Sequence, residues 1–265
     1  MPARILLVFA RPDDESFVAA GLSRRYADAG AEIALVTATR GEAGSCGDPP
    51  LCTVEELPTV RESELQAAAT ILGIADIQIL GYRDQHLAEV SPDAIRPQLV
   101  AILRHHQPHV VVTYDPQGGH GHADHVAISR FTTDAISAAS DARWYRGDDF
   151  PHQVQRLLWT PPVLAWDDPP PPRMEAEPGI DFLLDISAQK SVKLAALRAH
   201  RTQHRSTARW ILGKPRVSIR SSRSKPSVRP GAGRSTPRRR TTSSPISIST
   251  ERHAAPQRPE PLVRR

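Results

Sequence analysis

The sequence predicts an α/β fold, a Rossmann-like, mostly parallel sheet flanked by helices in a single domain, followed by a basic tail with no fold of its own. Two observations carry this. Short, continuously apolar runs alternate with amphipathic stretches of helical spacing, which is the pattern of strands buried on both faces of a parallel sheet. Composition then breaks sharply at Lys214. Residues 215 to 265 hold 13 Lys and Arg against Glu251 and Glu260, with no Phe, Trp or Tyr. Residues 1 to 214 hold the other 21 basic side chains against 27 acidic ones, a balance of −6.

Taken in order, Arg4 to Ala10 reads as the first strand, and a helix from Ser16 runs through Leu22 and Tyr26 to a stop at Gly30. Glu32 to Ala38 is the second strand, followed by a Gly-rich loop from Arg40 to Pro50 and an amphipathic helix from Thr59 to Leu72, ended by Gly73. Ile77 to Leu80 is a short third strand. Ser91-Pro92-Asp93 opens the next helix with a capping hydroxyl, a proline in the first turn and an acid near the positive helix end. That helix reaches His106. His109 to Tyr114 is a buried strand, Asp115 to Gly121 a loop, and a helix carrying Val126, Ile128, Phe131 and Ile136 follows. Further strands are expected at Arg156 to Trp159 and Phe182 to Asp185, and a last helix from Ser187 to His200. Pro169 to Pro172 reads as a surface insertion within the one domain of residues 1 to 214.

The tail's Arg, Ser and Pro cannot bury enough surface to offset ordering entropy, so residues 215 to 265 are expected to be disordered. Without interleaved aromatics, nucleic acid is an expected partner only through this segment. Cys46 and Cys52 stand in a Gly/Pro loop with no Cys-x-x-Cys, which points to two thiols rather than a zinc ribbon, a local disulfide being the alternative. The first apolar run is too short for a signal-peptide core, and no stretch approaches a membrane span, so a cytoplasmic protein is expected. Nothing in the sequence speaks to oligomeric state.

The chemistry sits in two clusters. Arg11-Pro12-Asp13-Asp14-Glu15 follows the first strand, and His120, His122 and His125 follow the fourth, in Gly121-His122-Ala123-Asp124-His125. In an open α/β sheet ligands bind beyond the carboxyl ends of the strands where strand order reverses, and the first and fourth strands flank that crevice in the common order. Topology therefore predicts one pocket for both clusters. Carboxylates and imidazoles are the donors a hydrolytic zinc site needs, with a further base for the bound water. The bland alternative is a helix-capping Asp-Asp-Glu and a polar His-rich loop.

At these residues the chain resembles the PIG-L/LmbE family of zinc-dependent N-deacetylases, whose signatures are Ala-His-Pro-Asp-Asp-Glu after the first strand and Gly-His-x-Asp-His after a later one. The likeness extends to Thr39 to Gly44, Arg61 to Leu65, Leu80 to Asp84 and Lys193 to Gln203, covering residues 3 to 212. The resemblance implies a hydrolase acting on a small-molecule amino-sugar conjugate of the N-acetylglucosamine type. It implies Zn2+ held by Asp14 and His125, Asp13 as general base, and His122 stabilising the intermediate or protonating the leaving amine. Arg61 and Asp84 match sugar-contacting positions, and His120 one that faces the site. Arg11 stands where the family has a histidine ligand, and guanidinium offers no lone pair. Either Arg11 takes the metal position and pairs with Asp14, the reading favoured by Arg-carboxylate geometry, or His120 or His122 supplies the third ligand. A catalytically inactive sugar-binding homologue is the rival reading.

Overall fold

The computed structural model describes residues 1–145, 150–160 and 184–207, the side chains of His120, Ser206 and Thr207 excepted. Five strands form one sheet: β1 (Arg4–Phe9), β2 (Glu32–Thr39), β3 (Asp76–Tyr82), β4 (Val110–Tyr114) and β5 (Arg156–Thr160). Their order is β3-β2-β1-β4-β5 and every pairing is parallel. The chain thus winds outward from β1 to β3, returns, and lays β4 on the other side of β1. Ile5 to Leu7 register with Val110 to Val112, so the reversal of strand order falls between β1 and β4. The side chains of β1, β2 and β4 are almost all buried, as their predominantly apolar sequences require.

The helices are α1 (Ala20–Asp28), α2 (Leu57–Leu72), α3 (Pro92–His106), the single turn α4 (Gly118–Gly121), α5 (Ala123–Ala139), α6 (Lys190–Ala199) and the short α7 (His204–Thr207). They pack as two groups, α1 and α2 with α6, and α3 with α5. Right-handed crossovers put the helices of the two windings on opposite faces of the sheet. Ala196 and Leu197 of α6 are buried, and Ala196 belongs to the same apolar core as β1 and β2. No described helix is long and apolar enough to cross a membrane.

Three expectations change. The helix after β1 begins as a π-helical turn, Glu15–Ala19, and becomes α-helical only at Ala20. The stretch after β4 contains α4 instead of running as a plain loop. Of the strand expected at Phe182 to Asp185, Phe182 and Leu183 lie outside the described residues, and Leu184 and Asp185 are not in a strand but precede the 3-10 turn Ser187–Gln189 that leads into α6. The proline run and the tail from residue 215 also lie outside the described residues. The cap of α3 is as expected: the Ser91 hydroxyl accepts from the Asp93 N–H at 3.3 Å. Ser91→Ala is expected to lose ~1 kcal/mol of unfolding free energy by urea titration.

Candidate active site

The carboxyl ends of β1 and β4 bring the two clusters together. After Ala10 the chain turns so tightly that Asp13 has φ +99°, a conformation most residues avoid. Its own hydrogen bonds hold it there. The Asp13 N–H donates to Glu15 Oε2 at 3.0 Å, while the Asp13 carbonyl accepts from the N–H groups of Ser16 and Phe17. Glu15 is fully buried and is fixed in turn by the Ser16 hydroxyl at 2.6 Å and by His200 Nε2 at 2.7 Å. Burial alone would keep His200 neutral, but the Glu15 carboxylate outweighs it and raises the imidazole above its ordinary range.

Asp14 is the most heavily anchored carboxylate. Its Oδ2 accepts from the N–H groups of Ala10 at 3.2 Å and Arg11 at 3.0 Å, and the Tyr114 hydroxyl adds to the stabilisation of its charge. Burial works against its charge, yet His125, Arg11 and these hydrogen bonds together hold it below the usual carboxylate range. Asp13 behaves oppositely. Burial pushes it up to about 6, against the pull of Arg61. Two adjacent carboxyls are thereby set apart, one with its charged form favoured and one poised to exchange a proton.

From the β4 side, His125 on α5 points Nε2 at Asp14 Oδ1, 3.6 Å away, and its ring stacks on Tyr114 with centroids 4.0 Å apart and planes 5° from parallel. Its Nδ1 lies 3.3 Å from the Gly118 carbonyl, and an Nδ1–H donated there leaves Nε2 facing the carboxylate. Gly118 has φ +70°, and a Cβ on it would lie 2.7 Å from the Val126 nitrogen, so only glycine lets α4 close against α5. His122 caps α5, its Nδ1 accepting from the Asp124 N–H at 3.2 Å. Arg11 Nη1 stands 3.2 Å from His122 Nε2. A neutral imidazole accepts at one nitrogen only, so the cap and acceptance from Arg11 are alternatives, and the cap leaves Nε2 as a donor into the pocket.

The structure thus gathers Arg11, Asp13, Asp14, His122 and His125. His120 lies on α4, its side chain outside the described set. Arg61 and Asp84, which match sugar-contacting positions, are both buried, so neither is a simple surface charge. Arg61 is 1% exposed: Nη1 donates to the Gly41 carbonyl at 2.8 Å, Nη2 donates to the Pro12 carbonyl and lies 3.2 Å from Asp13 Oδ2. Gly41 makes room for it, since a Cβ there would lie 2.0 Å from Nη1. Asp84 is buried and accepts from the N–H groups of Ala43 and Gln85, tying the loop after β2 to the loop after β3. Burial raises its carboxyl, with Arg11 and Arg61 opposing.

Sequence reasoning gave no role to Tyr114, Glu15, His200 or Asp124. Asp124 is fully buried and accepts from the N–H groups of Gln85 at 2.7 Å and Leu87 at 3.0 Å. Tyr114 alone had a readable signal, as the last residue of a strand whose carboxyl end opens on the crevice. Cys46 and Cys52 are both free thiols.

A zinc ion here would need about three protein donors. Asp14 and His125 are two, and among the described residues no three His, Cys, Asp or Glu are grouped to hold a metal. The described side chains therefore do not group into a zinc site, and His122, whose Nδ1 is engaged at the start of α5, does not complete it.

An α/β sheet with paired carboxylates after β1 and paired imidazoles after β4 defines a hydrolase-type pocket at a topological switch point. The chain belongs to the PIG-L family of deacetylase hydrolases: residues 6–136 match the family described as GlcNAc-PI de-N-acetylase. It is 35% identical over 239 residues to the 1D-myo-inositol 2-acetamido-2-deoxy-alpha-D-glucopyranoside deacetylase of Mycobacteroides abscessus, covering 76% of this chain and 81% of that one. The deacetylase of the same name from Kineococcus radiotolerans is 34% identical over 249 residues, covering 76% and 69%. Among solved structures, the conserved protein TT1542 from Thermus thermophilus is similar at 31% identity and TM-score 0.59, over 75% of this chain and 79% of that one. The N,N'-diacetylchitobiose deacetylase of Pyrococcus horikoshii shares the fold at TM-score 0.61 and 24% identity, over 76% and 70%.

Proposed function

We propose that the chain is a hydrolase that removes acetyl from an N-acetylglucosamine-type conjugate, and that Arg11 makes it a slow one. The observation that carries this is the convergence of Asp13 and Asp14 with His122 and His125 in one crevice, His125 Nε2 lying 3.6 Å from Asp14. The curated relatives, named as deacetylases of an inositol-linked acetamido sugar, support the substrate class.

In this reading Asp13 takes a proton from the water that attacks the acetamide carbonyl. Arg11, 22% exposed at its side chain, donates to the carbonyl oxygen as that atom gains negative charge. His122 Nε2–H donates a hydrogen bond toward the scissile amide, and Asp13 returns the proton it took from the water to the amine as the C–N bond breaks, with acetate leaving. Asp14 and the backbone around it keep Arg11 and His125 in place. Arg61 acts as a positioning residue, holding Asp13 and the Pro12 turn, and Asp84 as one that fixes the loop after β2. A guanidinium polarises a carbonyl less than a divalent ion and does not acidify a water, which is why the rate is expected to be low.

Acetate release from a 2-acetamido-2-deoxyglucosyl inositol tests the reading. Asp13→Asn and His122→Gln are each expected to lower it ~100-fold, within the usual reach of a single acid or base, with binding nearly unchanged. Release that survives both substitutions would refute it. Binding with no release by the unaltered chain would favour the sugar-binding reading, which Arg11's fixed charge makes the specific rival.

A further inference from the structure

We propose that Arg11 is a built-in cation that takes the place of a divalent metal ion, so that this chain carries the pocket's positive charge covalently and holds no metal. His125 Nε2 and Asp14 Oδ1 lie 3.6 Å apart. Two ligands on one tetrahedral zinc, with bonds of about 2.0 to 2.1 Å, stand roughly 3.3 Å from each other. The pair is therefore spaced close to what one ion requires. The side chain beside it is Arg11, with Nε 4.0 Å from Asp14 Oδ1 and Nη1 3.2 Å from His122 Nε2. It offers no lone pair, and its charge opposes any cation brought to the same carboxylate.

The remaining valences of Asp14 point the same way. Oδ2 is taken by the backbone N–H groups of Ala10 and Arg11. Asp14, 4.0 Å from the Arg11 Nε, is the nearest acid to the guanidinium, and Asp13 and Asp84 add to the negative field around it. A metal entering here would have to displace a covalently attached cation while finding, among the described side chains, two donors spaced for it. The inference concerns metal alone and stands or falls independently of the substrate.

The test measures zinc retained after equilibration and desalting, together with thermal midpoints with zinc or chelator, for the unaltered chain, Arg11→His and Arg11→Gln. The unaltered chain is expected to retain less than ~0.1 zinc, with no shift from either additive, because a ligand that does not bind the folded state cannot stabilise it. Arg11→His is expected to retain about one zinc and to gain several degrees on zinc, reversed by chelator. Arg11→Gln removes the charge without adding a strong donor, and is expected to bind zinc at least ~10-fold more tightly than the unaltered chain in indicator competition, and more weakly than Arg11→His. Stoichiometric zinc in the unaltered chain would overturn the proposal. So would Arg11→Gln with no gain, or a folded Arg11→His that retains no more zinc than the unaltered chain.

Discussion

Arg61→Met is expected to cost ~3 to 5 kcal/mol of unfolding free energy, the range for removing one partner of a buried ion pair. Arg61 is the largest fully buried side chain among the described residues. Its guanidinium serves the Pro12 carbonyl, the Gly41 carbonyl and Asp13 Oδ2. Methionine fills much of the volume but satisfies none of the three, leaving the Pro12 carbonyl without its Arg61 donor, the Gly41 carbonyl with only the Gly44 N–H, and a buried carboxyl without the Arg61 cation. The strained Asp13 turn loses its outer support at the same time. Arg61→Lys is expected to recover only part, since an ammonium is a point charge and cannot reproduce the fork. Urea unfolding of the three proteins checks this, and a loss below ~1 kcal/mol for Arg61→Met would mean the pocket floor does not depend on this side chain.

The second large effect lies in the Glu15-His200 pair, both ends of which are fully buried. His200→Gln is expected to cost ~3 kcal/mol near pH 6, because Glu15 keeps its donors from Ser16 and Asp13 but loses its charged partner. The folded-state pKa of His200 is raised. Its contribution is therefore fully present below the unfolded value of about 6.5 and is lost as pH rises through the higher folded value. The stability difference between the two proteins should shrink from pH 6 toward pH 9. A difference that is constant or grows over that window would show that the pair is not charged in the folded state.

These two effects mark the boundary of what the sequence makes legible. The buried parallel strands follow from apolar runs such as Arg4 to Ala10 and His109 to Tyr114, and the switch point between the first and fourth strands follows from the common order of such sheets. The meeting of Asp13 and Asp14 with His122 and His125 follows from topology, since each cluster ends a strand and the two strands are neighbours. The support beneath them does not follow. Arg61 reads as a surface charge on an amphipathic helix, and only the fold turns it under the Pro12 turn. His200 lies 185 residues from Glu15, and no local spacing announces that pair. The π-helical turn after Asp14 is equally hidden, because its residues Glu15 to Ala19 suit an ordinary helix and it is the buried carboxylate network that holds the turn open. Arg11 is the opposite case. Its chemistry is plain from residue type, and the structure adds where the charge goes, toward Asp14 and His122.

The measurement that tests this account most directly is the rate of acetate release by Arg11→His relative to the unaltered chain, at matched substrate and saturating zinc, with a chelated control for each. A gain of at least ~10-fold is expected for Arg11→His, about 1.4 kcal/mol of barrier, abolished by chelator, against a rate in the unaltered chain that chelator leaves unchanged. Equal rates in the two proteins, or an unaltered chain whose turnover collapses on chelation and returns with zinc, would contradict it.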